Sequence, residues 1–89
     1  MSDCLFCKII NSEIPAKIIS QTPGLIAIRD VNPQSPVHIL IIPKKHIYSL
    51  NDIDKSDADI IADVHFLAKE LAEKEKVSEK GYRLVLNTN

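Results

Sequence analysis

Two cysteines and a histidine could together bind a metal ion. Cys4 and Cys7 form a Cys-x-x-Cys pair, and His46 follows a Pro-Lys-Lys turn. Zinc prefers thiolate and imidazole ligands, but a structural zinc normally has four, and this set offers three. The spacing alone favours two small buried hydrophobic residues and a solvated turn histidine. A redox role for the cysteines is less favoured still, since a redox Cys-x-x-Cys motif is expected within a βαβ unit. His46, beside the two lysines, could instead contact a phosphate group.

Polar residues also flank an apolar stretch in the first half of the chain. His38 opens an otherwise apolar segment, so its ring is expected to be half buried, with a partner for each nitrogen. A structural histidine and a residue that orients a site are both compatible with this position. Asp30 follows Ile26 and Ile28 and could accept hydrogen bonds from a sugar diol, or could be a turn aspartate before Asn-Pro. His65 is predicted to be a surface or helix-packing residue.

Composition excludes several classes of function. The 89 residues suffice for one domain, predicted to span residues 1–89, and their net charge is −1, with acidic and basic residues interleaved. This balance argues against nucleic acid and membrane surfaces as partners. The two glycines are far apart, which excludes a glycine-rich phosphate loop. Without a membrane span or signal-peptide core in the sequence, a cytoplasmic location with reduced thiols is expected.

A short helix and a β-hairpin are predicted in the first third of the chain. Asp3 would cap the helix and Asn11-Ser12 would end it. Residues 16–20 and 24–30 would form the hairpin, joined by a type II turn with Pro23 and Gly24 at its centre. Alternation places Ile26, Ile28 and Asp30 on one face. The helix has near-helical spacing of its apolar residues, which are Leu5, Phe6, Ile9 and Ile10.

Two further strands complete a predicted sheet. Residues 38–42 are apolar on both faces, which is typical of a central, fully buried strand, and Pro43 would end it. Residues 82–86 (YRLVL) follow Gly81 and are predicted to be the last strand, paired with residues 38–42. The predicted fold class is α+β, with a mostly antiparallel sheet, one long helix and a short N-terminal helix.

The long helix is predicted over residues 56–77. Ser56 with Asp59 resembles a capping box at its start, and Lys74 and Lys76 suit the negative end of the helix dipole. One apolar stripe with helical period predicts the buried face, and its members are Ile60, Val64, Leu67 and Leu71, flanked by Ile61, Ala68 and Ala72.

Five sequence blocks, in this order, resemble the histidine triad (HIT) family over essentially the whole chain. They are Cys-x-Phe-Cys-Lys-Ile-Ile, Glu-Ile-Pro-Ala-Lys, Ile-Arg-Asp-Val-Asn-Pro-Gln-Ser-Pro-Val-His, Ile-Pro-Lys-Lys-His and Gly-Tyr-Arg-Leu-Val-Leu-Asn. The likeness is to the HinT branch, the nucleoside phosphoramidases. It implies a purine nucleotide ligand of the AMP or GMP kind, no organic cofactor, and a homodimer paired through the long helix and a sheet strand.

The resemblance also implies roles for individual residues. Asp30 would hold the ribose hydroxyls and Asn87 would lie near the phosphate. His38 would lie near the catalytic histidines and support them without being the nucleophile. In zinc-bearing members the two cysteines join the turn histidine, which here implies a structural zinc on Cys4, Cys7 and His46. The residues that would line the purine base are Phe6, Ile9, Ile28 and Val31.

The sequence departs from the family at the segment that gives the family its name. A His-x-His-x-His run supplies the nucleophile that attacks the α-phosphate, and the family places it after the position of Asn87. None of His38, His46 and His65 has that spacing. We therefore expect the HIT-like domain to be incomplete at its C-terminus, without its last catalytic strand and inactive as a polypeptide of 89 residues. A nucleotide- or zinc-binding module without catalysis, or a dimerisation unit, is the alternative.

Overall fold

The computed structural model describes residues 5–11, 15–47 and 49–86, with the backbone alone at residues 5 and 6. The chain divides into two compact units, residues 1–46 and 47–89. The prediction of one domain concerns how these units assemble and stays a prediction. In chain order the helices and strands are α1 (Leu5–Ile10), β1 (Ile18–Gln21), β2 (Leu25–Arg29), β3 (Ile39–Pro43) and α2 (Ala58–Lys74), with 3₁₀ turns at Leu50–Asp52 and Lys55–Asp57 before α2.

The first unit contains an antiparallel sheet in the order β1-β2-β3. The predicted hairpin is formed, and the Thr22 N–H donates to the Leu25 carbonyl across its turn at 2.9 Å. The type II geometry is wrong, however, because Gly24 does not adopt the positive φ that such a turn requires. Instead the Leu25 N–H donates to the Thr22 hydroxyl at 3.0 Å, so a side chain replaces the expected backbone acceptor.

The central strand of this sheet is β2 and not β3. Four consecutive residues of β2 are buried, whereas in β3 only Ile42 is. The prediction that residues 38–42 form a central, fully buried strand is therefore wrong within the described residues, where β3 lies at the edge of the sheet. An apolar run does not reveal how many neighbours a strand has, and β2 carries such a run as well.

The core cluster of the first unit lies on one face of the sheet, and Leu25 and Ala27, which alternation places on the other face, are buried as well. Ile26 opposes Ile42, and Ile28 opposes Leu40, in the β2–β3 register. These side chains pack with Ile9 and Ile10 of α1, which confirms the face predicted from alternation; the side chains of Leu5 and Phe6 lie outside the described part of the structure. The helix ends as predicted, with the Asn11 N–H donating to the Cys7 carbonyl at 3.0 Å; Asp3 and Ser12 lie outside the described residues.

The second unit is built around α2, whose start differs from the prediction. The capping box is formed by Asp54 and Asp57, two positions before the predicted pair of Ser56 and Asp59. The Asp54 N–H donates to the Asp57 carboxylate at 3.0 Å, and Asp57 is almost completely buried. Aspartate, serine and asparagine all cap helices well, and this segment contains several of them at the same spacing. Residue types alone therefore do not determine which pair forms the capping box.

The apolar stripe of α2 is confirmed. Within the described residues, no helix is both long enough and apolar enough to cross a membrane. His65 is exposed, as predicted, and its Nδ1 lies 2.7 Å from the Ile61 carbonyl oxygen. The buried residues of the stripe and its flanks are Leu67, Ala68, Leu71 and Ala72, and Ile60, Ile61 and Val64 are half-buried.

The predicted strand over residues 82–86 is not formed. These residues carry no regular secondary structure and are exposed, including the large side chains of Tyr82, Leu84 and Leu86. Alternating apolar residues make a segment able to join a sheet, but a strand exists only where a neighbour accepts and donates its backbone hydrogen bonds.

The C-terminus of α2 is closed by a Schellman motif with a strained residue. The Val77 N–H donates to the Ala72 carbonyl at 3.0 Å, and the Lys76 N–H donates to the Glu73 carbonyl at 3.1 Å. Lys76 has φ 62°, the left-handed region that glycine occupies without strain.

We expect Lys76→Gly to raise the free energy of unfolding by about 0.5–1 kcal/mol, because relief of the left-handed strain exceeds the extra entropy of glycine in the unfolded chain. Chemical denaturation measures this change. The matched control is Lys69→Gly, at an exposed position inside α2, where glycine should lower the stability by about 0.8–1 kcal/mol. A lower stability in both variants would contradict the prediction.

Candidate functional site

Asp30 and His38 continue the β2–β3 ladder beyond its last assigned pair. Arg29 opposes Ile39 at the end of the two strands. One position further, the Asp30 N–H donates to the His38 carbonyl at 3.0 Å. Because side chains alternate along a strand, Asp30 and His38 share the face of Ile28 and Leu40. A polar pair therefore terminates the apolar core face of the sheet.

The imidazole of His38 has a partner at each nitrogen. The backbone N–H of Gln34 donates to Nδ1 at 3.0 Å. Nδ1 is therefore an acceptor, and the proton of the neutral ring is on Nε2. Nε2 lies 3.4 Å from Oδ2 of Asp30. The expectation that a half-buried histidine at this position needs two partners is confirmed.

The Asp30 carboxylate is held from two sides. Its Oδ2 faces His38, and its Oδ1 accepts the N–H of Asn32 at 2.8 Å. The second contact is the Asx turn that the alternative interpretation of Asp30 predicts. The side chain of Asp30 is 20% exposed, so the carboxylate still reaches solvent. A carboxylate has about four lone-pair sites, and the described residues occupy two of them.

The structure brings together three of the predicted nucleotide-binding residues. Ile9 and Ile28 are buried in the same core cluster, and Asp30 lies at the end of the face that carries Ile28. Val31 follows Asp30 and is 87% exposed, outside the cluster. The Phe6 side chain and Asn87 lie outside the described residues. The nucleotide roles of all these residues stay predictions.

Cys7 and His46 meet although they are far apart in the sequence. Sγ of Cys7 lies 2.9 Å from Nδ1 of His46, which joins α1 to the turn after β3. Both residues belong to the first unit. The described part of the chain contains no group of three or more potential metal ligands. Cys4, the third predicted ligand, is outside that part.

Sequence reasoning missed two features of this site. One is the pairing of Asp30 with His38, and the other is the Gln34 N–H that fixes the tautomer of His38. A signal for the first was present, because the two residues stand directly outside the two predicted strands and an antiparallel register places such residues opposite each other. The sequence gave no indication of the second feature, because every residue except proline has a backbone N–H and the residue type at position 34 therefore does not reveal the contact.

Known proteins resemble this chain over most of its length. A family model matches residues 3–88, and the description of this family is 'Scavenger mRNA decapping enzyme C-term binding'. A protein named purine nucleoside phosphoramidase from Escherichia coli (strain K12) is 41% identical over 87 residues, which are 98% of this chain and 73% of that protein. An uncharacterized HIT-like protein from Buchnera aphidicola (subspecies Baizongia pistaciae) is 39% identical over 89 residues, which are 100% of this chain and 80% of that protein.

Solved structures give the same result. A HIT family hydrolase from Legionella pneumophila has a TM-score of 0.95 and 49% identity, covering 98% of this chain and 78% of that one. A HIT family hydrolase from Clostridium thermocellum has a TM-score of 0.95 and 46% identity, covering 100% of this chain and 77% of that one. The chain belongs to the histidine triad (HIT) family, and its α+β fold with an antiparallel sheet and a long helix is confirmed. The cytoplasmic location and the homodimer stay predictions.

Proposed function

We propose that this protein binds a purine nucleotide, with the sugar at Asp30. The observation that supports this most directly is the position of the Asp30 carboxylate, which is fixed at the end of an apolar sheet face and retains lone pairs for a ligand. A fixed carboxylate with remaining lone pairs suits the hydroxyl groups of a sugar, whereas the apolar face beside it is already buried against α1. The relative named purine nucleoside phosphoramidase supports the same class of ligand.

The proposed reaction class is hydrolysis at the α-phosphate through a nucleotidyl-histidine. Such covalent catalysis requires a histidine nucleophile aligned with phosphorus by a second group. The three histidines of the chain are engaged otherwise: His38 contacts Gln34 and Asp30, His46 contacts Cys7, and His65 contacts Ile61. We therefore expect a polypeptide of these 89 residues to bind nucleotide without turnover. Hydrolysis of an adenosine phosphoramidate by that polypeptide would contradict this assignment of roles.

Asp30→Ala should weaken AMP binding by about tenfold or more, because hydrogen bonds from ligand hydroxyls to a charged acceptor are lost. Isothermal titration calorimetry with AMP and GMP measures the dissociation constants. The control is Asp63→Ala, which removes an exposed carboxylate from α2 and should leave them unchanged.

Two results would count against the proposed site. Equal affinities for AMP in the Asp30→Ala variant and in the unsubstituted protein would exclude Asp30 from the binding site. Failure of the unsubstituted protein to bind either nucleotide would overturn the proposed function itself.

We also propose a structural zinc ion held by Cys7, His46 and Cys4. The contact between Cys7 Sγ and His46 Nδ1 favours this second function, because it brings a sulfur and a nitrogen ligand together across the unit. Tetrahedral zinc would hold these two atoms about 3.5 Å apart, given bonds of about 2.3 Å and 2.0 Å. Since they lie 2.9 Å apart, a small side-chain adjustment admits the ion. Bound zinc would tie α1 to the turn after β3.

A further inference from the structure

The chain between β2 and β3 is closed at its base by two contacts of a single side chain. His38 accepts a hydrogen bond from the Gln34 N–H on its Nδ1 side and faces Oδ2 of Asp30 on its Nε2 side. Residues 31–36 of this loop are exposed, and Val37 is half-buried. The ring therefore connects the conformation of this loop to the orientation of one carboxylate.

The two contacts of His38 depend on each other. An imidazole with an acceptor at Nδ1 must carry its proton at Nε2 when it is neutral. The Gln34 N–H thus selects the tautomer that carries its proton on Nε2, the nitrogen that lies 3.4 Å from Oδ2 of Asp30. With the opposite tautomer, a lone pair would face the carboxylate, and Asp30 would lose a donor that limits its rotation.

The orientation of Asp30 determines which ligands it can accept. Oδ2 is engaged by His38 and Oδ1 by the Asn32 N–H, so each oxygen keeps lone-pair capacity in a fixed direction. Two acceptor oxygens held in one plane match two vicinal hydroxyls, each donating to one oxygen. A carboxylate free to rotate would match a single hydroxyl almost equally well.

From this geometry we infer that His38 is a positioning residue that makes the site selective for a ribonucleotide over a 2′-deoxyribonucleotide. The inference rests on the proposed function, since it assigns a sugar specificity to the same site. His38 does not touch the ligand. It acts through Asp30, and Gln34 acts through His38.

Two substitutions test the Nδ1 contact and the Nε2 contact of His38 separately. The amide of His38→Gln extends far enough to donate to Asp30 from the level of Nε2, but it lacks the acceptor at the level of Nδ1. The shorter amide of His38→Asn retains an acceptor for the Gln34 N–H and has no donor that reaches Asp30. His65→Asn is the control, because His65 is exposed on α2.

The quantity to measure is the ratio of the dissociation constants for 2′-deoxyAMP and AMP, by calorimetry on the 89-residue chain. The unsubstituted protein, His65→Asn and His38→Gln should each prefer AMP by about tenfold or more. In His38→Asn the preference should fall to about twofold. A merely structural role would make both His38 variants lose affinity for the two nucleotides alike, with the ratio unchanged.

A second measurement does not depend on whether the variants fold. The ¹⁵N chemical shifts of the His38 ring in the unsubstituted protein report the tautomer directly. The proton is expected on Nε2 of the neutral ring, and a proton on Nδ1 would overturn the inference.

The possible failures are distinguishable. Binding of AMP and 2′-deoxyAMP with equal affinity by the unsubstituted protein would overturn the sugar selectivity and leave the nucleotide site standing. An unchanged ratio in His38→Asn would remove His38 from the selectivity. Absence of binding of both nucleotides would overturn the proposed function and this inference together.

Discussion

Replacing Ile26 by alanine is expected to lower the free energy of unfolding by about 3 kcal/mol. Ile26 is 2% exposed, opposes Ile42 in the neighbouring strand, and lies in the core cluster of the first unit. The substitution removes three carbon atoms from a site that is enclosed on all sides, so it costs both the transfer free energy of those atoms and the cavity they leave. Denaturant unfolding followed by circular dichroism measures the difference.

The control for this substitution is Ile18→Ala in β1. Ile18 belongs to the same sheet and has the same side chain, but it is 49% exposed. Its loss should cost less than about 1 kcal/mol, because much of the side chain is already in contact with water. Similar losses at the two positions would show that the face of Ile26 is not the core of this unit.

Zinc in excess is expected to stabilise the protein by about 4 kcal/mol when its free concentration is about 1,000 times the dissociation constant. The physical reason is that the folded chain brings Cys7 and His46 together whereas the unfolded chain does not. Thermal unfolding with and without a chelator measures the effect, and elemental analysis of protein purified without chelator measures the stoichiometry.

Cys7→Ser should abolish this zinc-dependent stabilisation, because a hydroxyl is a poor substitute for a thiolate ligand. Cys4→Ser should do the same if the third ligand is assigned correctly. His65→Ala should retain it, since His65 lies in α2 and contacts Ile61. Retained zinc in Cys7→Ser, or less than stoichiometric metal in the unsubstituted protein, would contradict the proposed metal site.

Local patterns in the sequence predicted the elements whose stability is local. The alternation of Ile26 and Ile28 predicted the core face of β2, and the spacing of Leu67 and Leu71 predicted the buried face of α2. Both patterns depend only on the geometry of one helix or strand. The hairpin was predictable for the same reason, because Pro23 and Gly24 interrupt two apolar segments.

Two of the incorrect predictions involved a competing hydrogen-bond partner. Leu25 N–H uses the Thr22 hydroxyl, and α2 is preceded by a capping box at Asp54 where Ser56 was expected to cap. In both cases more than one group could accept the same hydrogen bond, and residue type alone did not rank these acceptors. The strand over residues 82–86 failed because periodicity describes side chains and not backbone pairing.

The candidate site was predictable in its members and not in its geometry. Asp30, His38, Cys7 and His46 were identified by type and position. Their contacts depend on the register of β2 with β3 and on the close approach of α1 to the turn after β3. Register and tertiary approach are set by packing over many residues, which a single sequence does not display.

The β1-β2-β3 meander also has a consequence for folding kinetics. Each strand pairs with the next one in the sequence, with Gln21 opposite Ile26 near the first turn and Arg29 opposite Ile39 near the second. Contacts of such short sequence separation close small loops, whose entropic cost is low. The sheet of the first unit therefore has a low contact order and can form by successive pairing of residues outward from its two turns. The Asp30–His38 pair lies at the loop end of the second hairpin and therefore forms among its first contacts.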